Sequence, residues 1–516
     1  MLFLFSLAAF SAPPKIVSQH GRYALMVDGA PYLILGAQVN NSSAWPAMLP
    51  KVWPAIEAMH ANTVETPIYW EQMETQRGKF DFSVVDLLIA QAQEHHVRMI
   101  LLWFGTWKNG SQHYMPEWMK RDPERYFHVI NEKGDAMDSP SPFAAASLEA
   151  DKRAFSSLML HLHDNDPNST VIMVQVENEP GTWGSIRDYS PAAQKVFESK
   201  VPADVAVALH KTAGGNWKET FADNADEYFH AWAVAKYVGE VAAAGKAVNE
   251  LPLSVNVALR DPLGAKPGSY ESGGATDNVI DIWKATAKSI DVIGPDIYLP
   301  DSDRYLKVLD LYARPDNALF VPETGSGPAY SRYFFAALGH GAIGWSPFGI
   351  DYTGFSNAPL GAAKLNAEAL GPFAINYELM EMAGGEVARL NFEGKVQGVA
   401  EEKGRPTQTV SFGNWNATIS YGLRAFGPGD HPLGNPDPSG RAFIAQIGKD
   451  EFLVGGFFCR IDFAQAQKHR QFIRVEEGSE ANGKFAPIRI WNGDQTDWGL
   501  NFSSAPQLLH VTLATY

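Results

Sequence analysis

Residues 171–181 read VIMVQVENEPG. A run of strand-forming residues, 171–176, passes without a break into Glu177-Asn178-Glu179-Pro180-Gly181. The run is continuous rather than alternating, which is the pattern of a strand buried on both faces, as in a parallel sheet under helices. Seven more runs share this character: 32–39 (YLILGAQV), 62–70 (NTVETPIYW), 97–103 (VRMILLW), 253–257 (LSVNV), 292–297 (VIGPDI), 318–321 (ALFV) and 342–345 (AIGW). Helical spacing fills the intervals. Val52, Ile56 and Met59 mark a helix over 49–61, and Val84, Leu87, Leu88 and Ala92 mark one from Ser83, read as its cap, through His95. A third spans 148–163. Eight strand–helix units over about 350 residues predict a (β/α)8 TIM barrel. A doubly wound open sheet is the alternative. The turn Gly325-Ser326-Gly327 hints at it, but Tyr330 occupies the third glycine position of that fingerprint.

After Met382 the helical period stops. Short alternating stretches follow between Gly, Pro, Asn and Asp turns, among them the turn-rich loop 427–440 (GPGDHPLGNPDPSG). The expected organisation is therefore a catalytic barrel over 15–380 and an all-β, sandwich-like C-terminal domain over 381–516. The chain has 516 residues, 42 Lys+Arg against 58 Asp+Glu, and a net charge of −16, which disfavours nucleic acid as a partner. Cys459 is its single cysteine, so no intrachain disulfide is available. A hydrophobic fraction of 45% excludes disorder. Met1–Phe10 (MLFLFSLAAF) followed by Ser11-Ala12 reads as a signal peptide over 1–12, short in its positive region, and predicts export to the periplasm or beyond. The run is too short to span a bilayer, and no membrane span is expected.

In a barrel of this kind functional residues close the C-terminal ends of the strands. Strand four ends in Glu179 and strand seven in Pro322-Glu323-Thr324-Gly325. A charged carboxylate at the end of an apolar strand needs a reason, and a salt bridge or a surface loop is the ordinary one. Two of them at one mouth offer another. Glycosidic cleavage uses one carboxyl to protonate the leaving oxygen and a second, ionised, to attack the anomeric carbon. Their environments should push the two pKa values apart. Gly-x-Ser-x-Gly, P-loop and zinc-type cysteine patterns are absent from the sequence. His161, His163, Asp164 and Asp166 read as a solvated helix end, since a spacing of two puts the histidines on different faces.

The stretches 66–82 (TPIYWEQMETQRGKFDF) and 101–110 (LLWFGTWKNG), with Asn178 immediately before Glu179, resemble family 35 β-galactosidases. The similarity is to the bacterial branch with a β-rich C-terminal domain, in the clan whose acid/base lies on strand four and nucleophile on strand seven. The resemblance implies that Glu179 is the general acid/base and Glu323 the nucleophile. It implies that Asn178 binds the sugar 2-hydroxyl, Tyr298 donates to Glu323 and Trp345 floors the sugar. Many members end strand three with Cys-Ala-Glu. This chain has Trp107-Lys108-Asn109 there, so contacts to the outer hydroxyls are expected from Glu71 and Asn109, with Trp107 beside the sugar. A core position is the competing reading for Trp345, a barrel-layer position for Tyr298, and a simple ion pair for Glu71. The implied activity is a retaining, exo-acting β-galactosidase on oligosaccharides such as xyloglucan side chains, working without metal or cofactor. Another retaining β-glycosidase of the clan, of endo-glucanase or mannanase type, and a non-catalytic galactoside-binding protein are the alternatives. Assembly into a homo-oligomer through the C-terminal domain is a further expectation.

Overall fold

A computed structural model describes residues 12–422, 432–481 and 483–516. Residues 1–11 of the expected signal peptide and the first part of the 427–440 loop lie outside the described residues. Eight strands form a closed barrel: β1 (Ile34–Gln38), β2 (Thr63–Tyr69), β3 (Arg98–Lys108), β4 (Val171–Asn178), β5 (Leu253–Ala258), β6 (Val292–Ile297), β7 (Phe320–Thr324) and β8 (Gly344–Pro347). Neighbours pair in parallel, and β8 returns to β1 through Gly344–Ile34 and Trp345–Leu35. Each of the eight apolar runs is one of these strands. Their burial on both faces explains the continuous hydrophobic pattern.

The helix expected from Ser83 spans Ser83–Glu94, but Phe82 occupies its cap position and no side chain caps it. The Asp81 carboxylate instead accepts from the Ser83 amide at 2.9 Å. This corrects the expected serine cap: Ser83 is already the first helical residue. Among the described residues no helix is long and apolar enough to cross a membrane.

A three-stranded antiparallel sheet, Lys15–Gln19, Arg22–Val27 and Ala30–Tyr32, leads into β1. After helices Ala367–Ala383 and Glu386–Phe392 the chain becomes all-β. One antiparallel sheet has six strands, in the order Val396–Ala400, Arg441–Gly448, Glu451–Phe457, Leu508–Thr515, Arg470–Ala481, Lys484–Ile490. The second has four: Thr407–Phe412, Trp415–Tyr421, Cys459–Gln465 and Leu500–Phe502.

The strand Arg441–Gly448 shows how the two layers share a core. Ala442 and Ile444 face the second sheet, in a cluster with Ile419, Ile461 and Val511. Phe443 and Ala445, one residue out of phase, join the barrel core. Period-two alternation thus sends one face of the sheet into a sandwich and the other onto the barrel. Phe443 stacks on Phe335 of helix Tyr333–Gly339 with centroids 5.9 Å apart. That helix follows β7, so the all-β layer buttresses the helix that comes after the strand carrying Glu323. The approach is close enough that a side chain at Gly398 would collide with the carbonyl of Phe335.

Candidate active site

The chain leaves β4 through an unusual backbone. Glu177 and Glu179 both have positive φ, 62° and 43°, in the left-handed region that non-glycine residues rarely adopt. Each costs on the order of 1–3 kcal/mol, a cost typical of functional sites. An extended strand would alternate its side chains between faces; the two left-handed residues break that alternation around Asn178. The same region of β3 carries a bulge. Between the pairs Trp103–Val176 and Lys108–Asn178, β3 advances five residues while β4 advances two. Bulges re-aim side chains beside active sites, and this one sets Lys108 against Asn178.

Glu323, one residue before the end of β7, is 4% exposed and receives four donors. Gln38 Nε2 on β1 donates to Oε1 at 2.9 Å, Asn178 Nδ2 at 3.2 Å and Asn256 Nδ2 on β5 at 3.3 Å. Tyr298 donates its hydroxyl to Oε2 at 2.8 Å. All four contacts are donors, the complement of a carboxylate that only accepts.

Glu179 is half-buried, with its amide held by Asn256 Oδ1 at 2.8 Å. Burial, and next the charge of Glu323, push its carboxyl up to about 7, while Lys108 and a hydrogen bond with Asp296 pull the other way. Asp296 lies well above the usual carboxylate range through burial and the charges of Glu323 and Glu179. Two further buried carboxyls complete the cluster. Glu65 on β2 is raised by burial and by Glu323, and Glu271, 2% exposed, by burial and by Glu179. Glu271 is wedged against Gly181, where an added Cβ would lie 2.7 Å from its Cγ.

The structure brings Asn178, Glu179, Tyr298 and Glu323 together, and Asn109 lies exposed at the rim with φ 53°. Three expected contacts lie elsewhere. Trp345 is 1% exposed, its ring near Phe334 and Phe373 and its Nε1 donating to Tyr305 at 2.9 Å. It is a core residue and not a sugar floor, because it packs against the surrounding helices. Trp107 is fully buried edge-on to Tyr237 of helix Ala225–Lys246. Glu71 pairs with Lys120 at 3.1 Å, the simple ion pair of the competing reading. His161 pairs with Asp86 at 2.6 Å and His163 with Asp164 at 2.9 Å, at the helix end expected of them.

Sequence reasoning passed over Gln38, Asn256, Asp296 and Lys108. The signal was present: Gln38 and Asn256 are amides inside the apolar runs YLILGAQV and LSVNV, and a buried amide needs partners.

Residues 24–250 match the profile of "Glycosyl hydrolases family 35". Over that stretch the chain is similar to glycosyl hydrolase family 35. The matched part of the barrel includes Glu179 and stops before β5, so the placement of Glu323 rests on the geometry above. Residues 373–503 match a domain of unknown function, DUF5597. A β-galactosidase of Xanthomonas manihotis is 29% identical over 173 residues, 31% of this chain and 26% of the relative. β-Galactosidase 11 of Arabidopsis thaliana is 24% identical over 163 residues, 30% of this chain and 18% of the relative. The matches thus span about a quarter or less of these curated relatives. Among solved structures, the β-galactosidase of Marinomonas ef1 aligns with a TM-score of 0.51 at 15% identity, covering 69% of this chain and 61% of that one. The enzyme of Bacillus circulans sp. alkalophilus aligns at 0.50 and 13% identity, covering 69% and 57%. These two likenesses concern the fold alone.

Proposed function

We propose that this protein is a retaining, exo-acting β-galactosidase. The single observation that carries the reading is the pair of unequal carboxyls at one barrel mouth. Glu179 is pushed up to about 7 and so keeps a proton near neutrality, while Glu323 is surrounded by donors. Glu323 attacks the anomeric carbon as Glu179 gives its proton to the leaving oxygen. Glu179, now a base, then takes a proton from the water that releases the glycosyl-enzyme. Asn178, beside Glu323, is suited to the 2-hydroxyl. The family match and the β-galactosidase relatives support galactose as the glycone; oligosaccharides of plant cell-wall type complete the proposed substrate.

The walls of the mouth favour an exo pocket. The loops after β3, β4 and β5 are tied together: Thr182 and Ser272 exchange amide bonds at 2.8 and 3.0 Å, and Tyr189 N donates to Ile130 O at 2.8 Å. Ser139 Oγ donates to Gly181 O at 2.8 Å. The test is Glu323→Ala with added azide. The expected result is loss of turnover and recovery of part of the rate as a β-glycosyl azide. A folded variant that azide does not rescue removes the nucleophile assignment.

A further inference from the structure

We propose that Lys108 is a positioning residue for the active site: it fixes the Asn178 amide with its nitrogen toward Glu323, and it presents the positive charge that faces Glu179. The proposal rests on the glycosidase reading above. Lys108 is 4% exposed, and among the described residues no carboxylate lies within ion-pair distance of it. Its ammonium donates instead to two amide oxygens, Asn178 Oδ1 at 2.8 Å and Asn109 Oδ1. A buried ammonium spent on neutral acceptors is costly to keep.

The amide chemistry says what that cost secures. Asn178 offers one acceptor and one donor end, whereas an ammonium only donates. With Oδ1 toward Lys108, Nδ2 reaches Glu323 Oε1 at 3.2 Å. The flipped amide would set N–H against the ammonium and oxygen against the carboxylate, two repulsions at once. Lys108 therefore selects the rotamer that donates to the nucleophile. The backbone holds it there. Lys108 and Ser111 exchange amide bonds at 2.9 and 3.1 Å, Asn109 N donates to Asn178 O at 3.2 Å, and Gly110 N to Glu179 O at 3.0 Å.

The charge acts on the other carboxyl. The titratable groups facing Glu179 are Glu323 on β7, Asp296 and Tyr298 at the end of β6, Glu271 after β5 and Lys108 on β3. Of these only Lys108 is cationic, and it opposes the upward push on Glu179, Glu271 and Asp296 alike.

The experiment compares Lys108→Met, Lys108→Gln and Lys108→Arg by kcat/KM against pH on a nitrophenyl β-galactoside. It is joined by a 13C NMR titration of carboxyl-labelled protein without substrate, with Glu179→Gln assigning the resonance. The Met variant is expected to lose about 10- to 100-fold in kcat/KM, with the alkaline limb and the Glu179 titration both moving to higher pH. Gln, which still donates but carries no charge, is expected to move the limb equally with a smaller rate loss. Arg is expected to leave the limb in place. Folded Met or Gln variants whose limb and titration do not move overturn the proposal, since a purely structural lysine would lower the rate alone. A wild-type protein that hydrolyses no β-glycoside defeats the glycosidase reading separately, and the NMR titration still decides the charge role.

Discussion

Removing one hydroxyl tests how Glu323 is held. Tyr298→Phe deletes the donor at 2.8 Å on Oε2, whereas Oε1 has three donors at 2.9, 3.2 and 3.3 Å. A hydrogen bond to a charged group contributes about 1.5–3 kcal/mol. At about 1.4 kcal/mol per factor of ten, its loss corresponds to about a 10- to 150-fold fall in kcat/KM. Gln38→Met removes one of the three donors on Oε1 and leaves two, so its loss should stay below about tenfold. The assay is steady-state hydrolysis of a nitrophenyl β-galactoside at the pH optimum, with thermal melting of both variants as a control on folding. A Tyr298→Phe rate within threefold of wild type, or a larger loss for Gln38→Met, would show that the donors do not set the reactivity of Glu323 and would refute the reasoning.

Three further outcomes follow from the same geometry. Glu179 must be protonated to act as acid, and its carboxyl is pushed up to about 7. kcat/KM should therefore fall as pH rises through about 7, by tenfold per unit well above it; a profile flat to pH 9 would contradict the acid assignment. Trp345→Phe loses the bond to Tyr305 and part of a packed ring, which should lower Tm by a few degrees and leave KM within about twofold. A raised KM at unchanged Tm would return Trp345 to the sugar site. Gly398→Ala forces a Cβ onto the Phe335 carbonyl where the sandwich meets the barrel. Calorimetry should show a lower or split transition, and an unchanged melting curve would mean that the joint tolerates separation.

The barrel was legible because strands buried on both faces leave runs dominated by apolar and strand-forming residues, broken only by isolated polar side chains such as Gln38, Glu65 and Asn256. Glu179 and Glu323 were legible because each stands where such a run stops. The supporting residues were harder to read for a physical reason. Gln38 and Asn256 meet Glu323 only after β1, β5 and β7 close around one axis, and a single amide inside an apolar run does not announce its partner. Lys108 is reached only through the bulge that slips β3 against β4, a feature of strand pairing that residue order does not encode locally. Trp345 misled for the opposite reason. It lies at the end of an apolar run, yet its place in β8 turns the ring toward helices Tyr333–Gly339 and Ala367–Ala383. The residue beside it, Ser346, is the one that lies near Glu65.

The central claim is that Glu323 forms a covalent bond to the sugar. The most direct measurement is peptide mass spectrometry after incubation with a 2-deoxy-2-fluoro-β-galactosyl fluoride. The account predicts one added fluorogalactosyl unit on the peptide containing Glu323, with activity lost in step with labelling. A label on another residue, or hydrolysis that releases the α-anomer with no labelled peptide, would contradict it.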